Sequence, residues 1–255
     1  MKNVLLTIEY DGSAFHGWQE QPGLRTVQGV LQDALSTVLG FDVKVNGTSR
    51  TDAGVHALGQ CLSFSGEFGI PTENIPLAVN NVLSKGRTGG GTIPGDIRVL
   101  ECKEVPLDFH ARFDCKKKTY RYVLNQGKPN VFRRNYCYYV DGPLDVENME
   151  RAGKLIEGTH DFACFQSAGG NPRESTVRTV YELKVHKDKE DIVIQVTGDG
   201  FLYNMVRIIV GTLVEVGQGK REASDITEII SSGDRSMAGH TAPAQGLYLS
   251  KIYFD

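Results

Sequence analysis

Apolar and polar positions along the chain switch between two periods, and the switches mark the elements. Val4 to Tyr10 is rich in β-forming residues and ends at the turn pair Asp11-Gly12, so it predicts a strand. Val27, Val30, Leu31, Ala34, Leu35, Val38 and Leu39 recur at helical spacing. Thr26 is placed to cap that helix and Gly40 to stop it. Val43 to Val45 predicts the opening of a strand that runs into the polar segment Gly47 to Gly54. A strand over Val55 to Ser65, a helix over Ile75 to Leu83 with Pro76 in its first turn, and a strand over Ile97 to Val105 follow. The first half therefore reads β-α-β-β-α-β.

The second half repeats that rhythm loosely. Thr119 to Leu124 predicts a strand with Tyr120 and Tyr122 on one face, because side chains alternate. Val146 to Ile156 predicts a helix. Thr176 to His186 and Asp191 to Thr197 predict a hairpin around Lys187-Asp188-Lys189-Glu190. Phe201 to Val216 predicts a helix, Ser224 to Ser231 a shorter one capped by Ser224, and Leu247 to Phe254 a closing strand. The halves share element order and no close residue-level repeat. Strands and helices both recur along the chain, which is read as an α+β protein.

Lys85 to Gly95 stands apart, with glycines at 86, 89, 90, 91 and 95. Consecutive glycines cost backbone entropy on ordering, which predicts a mobile surface loop. A phosphate cradle is the alternative, but the segment has no GK[ST] and no strand-to-helix context.

Composition and charge change the picture in several places. The chain has 255 residues, 40% hydrophobic, enough for one large domain or two small ones without a staple. The cysteines at 61, 102, 115, 137 and 164 are scattered and form no CxxC pair, which predicts a reducing cytoplasm rather than a disulfide frame or a zinc site. The apolar run at the N-terminus is too short for a signal-peptide core and contains Glu9. No apolar stretch approaches the roughly 20 residues of a membrane helix, and the longest, Met205 to Val216, is broken by Arg207, Gly211 and Glu215. Net charge is −3, which argues against nonspecific coating of nucleic acid. Local basic faces do occur, at Lys116-Lys117-Lys118 with Arg121 and at Arg133-Arg134. Each is read either as a solvated strand end or as a set of phosphate contacts.

The densest polar cluster is Gly47-Thr48-Ser49-Arg50-Thr51-Asp52-Ala53-Gly54-Val55-His56. It holds an acid, an imidazole and a guanidinium within seven positions, and Gly47 and Gly54 permit sharp turns and close approach of a ligand. A plain surface loop is the competing reading. Asp52 and His56 at i, i+4 could also be half a metal site, but no third ligand lies nearby in the sequence. His56 alone reads more simply as a satisfied interior histidine. Arg207 is odder, because a charge inside the apolar helix face of Val206, Ile208, Ile209 and Val210 asks for a buried partner.

At this cluster the sequence resembles a known family. Gly47 to His56 with Ala57 is similar to the active-site signature of the tRNA pseudouridine synthase A family. Tyr10-Asp11-Gly12-Ser13-Ala14-Phe15-His16-Gly17-Trp18-Gln19 resembles the family's opening motif. Phe109-His110-Ala111-Arg112-Phe113 with Lys118-Thr119-Tyr120-Arg121-Tyr122 resembles its second motif, Phe132-Arg133-Arg134 the next block, and Gly200 to Arg207 its third. The blocks run nearly end to end. The chain departs from the pattern where Ser84 to Ile93 intervene before Pro94-Gly95-Asp96-Ile97-Arg98-Val99, which looks like an insertion.

The resemblance implies a pseudouridine synthase fold of two similar lobes, each an antiparallel sheet backed by helices, with a central catalytic cleft. It implies lobes at 1–108, carrying the catalytic aspartate, and 109–255, completing the site. It implies a cytoplasmic homodimer that binds tRNA and isomerises uridines at positions 38 to 40 of the anticodon stem-loop, an RNA-modifying isomerase in tRNA processing. Asp52 would be the catalytic nucleophile or base, and Arg207 would pair with it. Tyr120 would stack on the target base and help remove the C5 proton. Arg50 would enter the RNA and keep the nucleotide flipped, and His110 and Arg112 would touch the tRNA. The reaction breaks N1–C1′, turns the uracil and makes C5–C1′. Nothing is oxidised or added, so no cofactor, metal or membrane partner is expected. Attack at C1′, addition at C6 and removal of the 2′ proton all stay open for Asp52. Each needs the carboxylate ionised, and a buried carboxyl needs an offsetting cation, which an arginine never ceases to be. Flipping the base costs about a few kcal/mol.

Three rivals remain. They are an RNA-binding protein without activity, a synthase acting on another RNA, and a metal-dependent hydrolase built on Asp52 and His56. The acidic balance sits more easily with a dimer, in which two local basic faces make one groove.

Overall fold

The computed structural model describes residues 1–84, 95–169 and 175–255. The expected glycine loop and apparent insertion fall, apart from Ser84 and Gly95, outside the described residues. In chain order the strands are β1 (Lys2–Tyr10), β2 (Asn46–Gly47), β3 (His56–Gly66), β4 (Ile97–Val105), β5 (Lys117–Asn125), β6 (Tyr138–Tyr139), β7 (Gly158–Asp161), β8 (Val177–Asp188), β9 (Asp191–Gly198) and β10 (Leu247–Tyr253). The helices are α1 (Val27–Leu39), α2 (Ile75–Ser84), α3 (Val146–Lys154), α4 (Met205–Gly217) and α5 (Asp225–Ser232). The α+β expectation is borne out. Contacts divide the chain into two compact units, 1–116 with 248–255, and 117–247.

In the first unit β1 lies antiparallel between β3 and β4, with Leu6 opposite Leu62 on one side and Cys102 on the other. The last strand returns here: Tyr248 and Leu249 run parallel to His56 and Ala57 of β3. Helix α1 begins as its sequence dictates. The Thr26 side chain accepts the Gly29 N–H, and Gly40 ends the helix in the left-handed region at φ 80°. Its buried stripe is Val27, Val30, Leu31, Ala34 and Leu35.

The strand expected at Val43 to Val45 does not form; only Asn46–Gly47 pairs with β3. Side chains of α1 take its place as partners. Ser36 Oγ accepts the Val43 N–H at 2.9 Å, and Gln32 Oε1 accepts the Val45 N–H at 3.0 Å. A backbone satisfied by side chains has no need of a ladder.

In the second unit β5, β9, β8 and β7 make an antiparallel sheet in that order, and β6 lies parallel to β5. The expected hairpin is present and runs two residues further than read, so that Lys189, at φ 58°, and Glu190 alone make the turn. Helix α3 packs on β8 and α4. Gly153 permits this, since a Cβ there would sit 2.4 Å from the Leu183 side chain. Two expectations on the helices need correction. Helix α4 starts at Met205 rather than Phe201, because Asn204 adopts φ 60° and breaks the helical path. Ser224 sits at the start of α5 but makes no capping bond. All five cysteines are free thiols, and among the described residues no helix is long and apolar enough to cross a membrane.

Candidate active site

The segment 47–55 carries Asp52 on irregular backbone, and neighbouring side chains fix its course. Thr48 is tied to β3: its N–H donates to Cys61 O at 2.9 Å, and its hydroxyl lies 2.9 Å from the same oxygen and 3.2 Å from Ala111 O. Gln60, wholly buried, donates through Nε2 to Ser49 O at 2.6 Å and accepts the Cys61 N–H. Tyr10 and Thr51 hydroxyls meet at 2.7 Å, and the Trp18 N–H donates to Thr51 O at 3.0 Å. Asp52 O accepts the Val55 N–H at 3.2 Å, closing a turn in which Gly54 takes φ 78°. Asp52 thus stands at the head of a tight turn, half-buried, with Arg50 exposed beside it.

Two glycines of the opening motif let the chain pack against this turn. A Cβ on Gly12 would sit 2.0 Å from Val55 O, and one on Gly17 would sit 2.8 Å from Thr51 O. His56 is buried, 2% exposed, as the simpler reading expects. Its Nδ1 lies 3.0 Å from the Gly12 backbone N and 3.2 Å from Asp11 Oδ1, and its ring stacks on Tyr248 at 4.7 Å. Among the described residues no three His, Cys, Asp or Glu side chains are grouped to hold a metal ion.

The 109–114 turn belongs to the same unit. The Ala111 N–H donates to Ser63 Oγ at 3.0 Å, and Thr48 reaches Ala111 O from the Asp52 segment. His110 is half-buried and Arg112 exposed, so the first unit carries Asp52, Arg50, His110 and Arg112 together.

The second unit carries Tyr120 and Arg207. Tyr120, 7% exposed, meets Phe201 edge to face at 5.2 Å. Arg207 rides near the start of α4, half-buried among apolar neighbours. Its Nε donates to Ala242 O at 2.7 Å and its Nη1 to Asn204 Oδ1 at 2.8 Å, while Ala242 N–H donates back to Arg207 O. The adjoining Pro243 O accepts the Tyr122 hydroxyl at 2.7 Å. Burial pushes the Tyr122 phenol up, and the Arg207 charge partly opposes that. Tyr122 and Arg207 thus bind one short stretch, Ala242–Pro243. Lower on α4, Glu215 accepts from Arg221 Nε at 2.6 Å and from the His240 N–H at 3.1 Å. Burial works to raise its carboxyl, but those bonds hold it below the usual range.

Sequence reasoning missed Asn204, Tyr10, Gln60 and Ala242 as supports. Only Asn204 offered a signal, since asparagine tolerates the left-handed region. The two basic candidates also separate. Arg133 pairs with Asp191 at 2.6 Å, and that hydrogen bond raises its pKa, whereas Arg134 is exposed.

Comparisons with known proteins give the class to which this chain belongs. The profile of the family described as "tRNA pseudouridine synthase" matches residues 6–114 and 152–255. The chain belongs to the tRNA pseudouridine synthase family, and its reaction is the isomerisation of uridine to pseudouridine in tRNA. Among its relatives are proteins named tRNA pseudouridine synthase A. Those of Thermoanaerobacter sp. (strain X514) and Acetivibrio thermocellus are 47% and 46% identical over the whole of both chains. That of Halalkalibacterium halodurans is 45% identical over 97% of this chain and 90% of its own length. The expected resemblance is borne out.

Proposed function

We propose that Asp52 is the catalytic nucleophile, acting on uridines at positions 38 to 40 of the tRNA anticodon stem-loop. What supports this is the half-buried Asp52 carboxyl, held at the head of a turn whose flanks are tied to Tyr10, Trp18 and Gln60. A carboxylate that must meet one atom of the target nucleotide gains most from such prior fixing, because orientation is settled before the substrate arrives. The lobe at 1–108 carries the aspartate, and the lobe at 109–255 completes the site through Arg207 and Tyr120. Arg207 offsets the Asp52 charge, Tyr120 stacks on the uracil and helps take the C5 proton, and Arg50 holds the vacated position in the RNA. His110 and Arg112 contact the tRNA. The proton lost from C5 is balanced by one gained at N1, so the reaction needs no cofactor and no metal. The protein works in the cytoplasm as a homodimer that offers two basic faces to one tRNA.

Carbodiimide mapping of transcripts with single uridines at 38, 39 or 40 tests the site choice. Modification confined to these positions is expected, and modification in the acceptor or D arm would contradict it. Sedimentation of the RNA-free protein tests the dimer.

A further inference from the structure

The 109–114 turn presents an aromatic side chain that the roles above do not use. Phe113 is 73% exposed, and a phenyl ring left in water forgoes the burial that otherwise places it inside. The turn beneath it is braced by hydrogen bonds. The Phe113 and Asp114 N–H groups both donate to His110 O, and Asp114 Oδ2 accepts the His110 N–H at 2.7 Å. The Arg112 N–H donates to the His110 ring at 3.2 Å, and Ala111 is fully buried and bonded to Ser63. The His110 ring lies 4.3 Å from the Phe113 ring, and the Arg112 guanidinium 5.9 Å from it. Thr48 ties the same turn to the segment that carries Asp52.

We infer that Phe113 is a stacking platform for an unpaired base of the bound tRNA. An exposed aromatic face, stiffened from below and flanked by an arginine and a histidine, is the surface that captures splayed bases, since every base has a π-face and the cation serves the adjoining phosphate. The Arg112 guanidinium and the His110 ring beside Phe113 suit a phosphate-bearing partner, and tRNA is this chain's substrate. The inference rests on tRNA being the substrate.

The test uses the full-length protein and unmodified tRNA. Phe113→Ala and Phe113→Leu are expected to weaken tRNA binding about tenfold, and Phe113→Trp to retain it, as loss of one stacked base implies. KM should rise and kcat should change little. Phe113→Trp adds an exposed indole to a chain whose single tryptophan, Trp18, is 2% exposed, so tRNA should quench the new emission beyond the wild-type baseline. Wild-type affinity in Phe113→Ala with no quenching in Phe113→Trp would overturn the inference. So would equal affinity of the leucine and tryptophan variants, or a change in the oligomeric state of RNA-free Phe113→Ala. If wild type itself neither bound nor modified tRNA, the substrate reading would have failed instead.

Discussion

Asp52 and Arg207 are held by opposite means. Asp52 sits on irregular backbone whose course is set by polar bonds from Thr48, Gln60, Tyr10 and Trp18. Arg207 sits on a helix of which eleven residues are buried, and its guanidinium is aimed by Ala242 O and Asn204 Oδ1. A turn held by a few hydrogen bonds can be misaligned one bond at a time with modest loss of stability, because each bond nets only about 1 kcal/mol. A helix inside a close-packed core has no such slack, so damage there appears first as unfolding. The comparison therefore predicts activity-weighted defects in the first region and stability-weighted defects in the second.

Gly211→Ala attacks the helix most directly. A Cβ there would sit 1.8 Å from His240 O, so the 238–242 stretch that supplies Ala242 must move. A loss of about 3 kcal/mol is expected, the upper range for overpacking, read by chemical denaturation of the second unit. Wild-type stability would show that the helix has slack after all.

Gln60→Leu comes next. It leaves Ser49 O and the Cys61 N–H without their partner beneath the Asp52 turn. A destabilisation of about 2 kcal/mol is expected, the cost of stranding buried polar groups. The drop in kcat should exceed the one produced by Gly211→Ala at equal residual folding, measured at saturating tRNA.

Glu215→Gln tests the helix side by pH. The Glu215 carboxyl is held below its ordinary 4.5 in the folded protein, so its stabilisation is complete above that value and is lost as pH falls through the lower folded one. Near neutral pH the variant should be about 1.5 kcal/mol less stable, the low end for hydrogen bonds to a charged group. The gap should close in acid. A gap independent of pH would show that the charge is not what holds His240 and Arg221.

Tyr10→Phe should be the mildest, removing one buried bond to Thr51 at a cost of about 1 kcal/mol. Its effect should fall on kcat more than on thermal stability, and a change confined to stability would count against the comparison.

The first region was the more legible in the sequence. The glycine-bracketed cluster, the cap at Thr26 and the stop at Gly40 are local signals, and local chemistry decides them. Where long-range side chains act as backbone partners, periodicity misleads. Val43 to Val45 alternates like a strand, yet Ser36 and Gln32 satisfy it from a helix. Apolar residues from Phe201 onward fit a helix, but the left-handed Asn204 delays its start and becomes a ligand of Arg207. Arg207 announced itself by being a charge on an apolar face. Tyr10 and Gln60 did not, because a buried tyrosine or glutamine on a strand shows in the sequence neither its partner nor its direction.

The most direct test of the central claim is tritium release from tRNA carrying [5-³H]uridine, comparing wild type with Asp52→Asn in the presence of a chelator. Asparagine keeps the shape of the turn and removes the charge. Release by wild type and none by a folded, tRNA-binding Asp52→Asn is the predicted result. Release by Asp52→Asn at the wild-type rate, or a wild type silenced by the chelator, would contradict it.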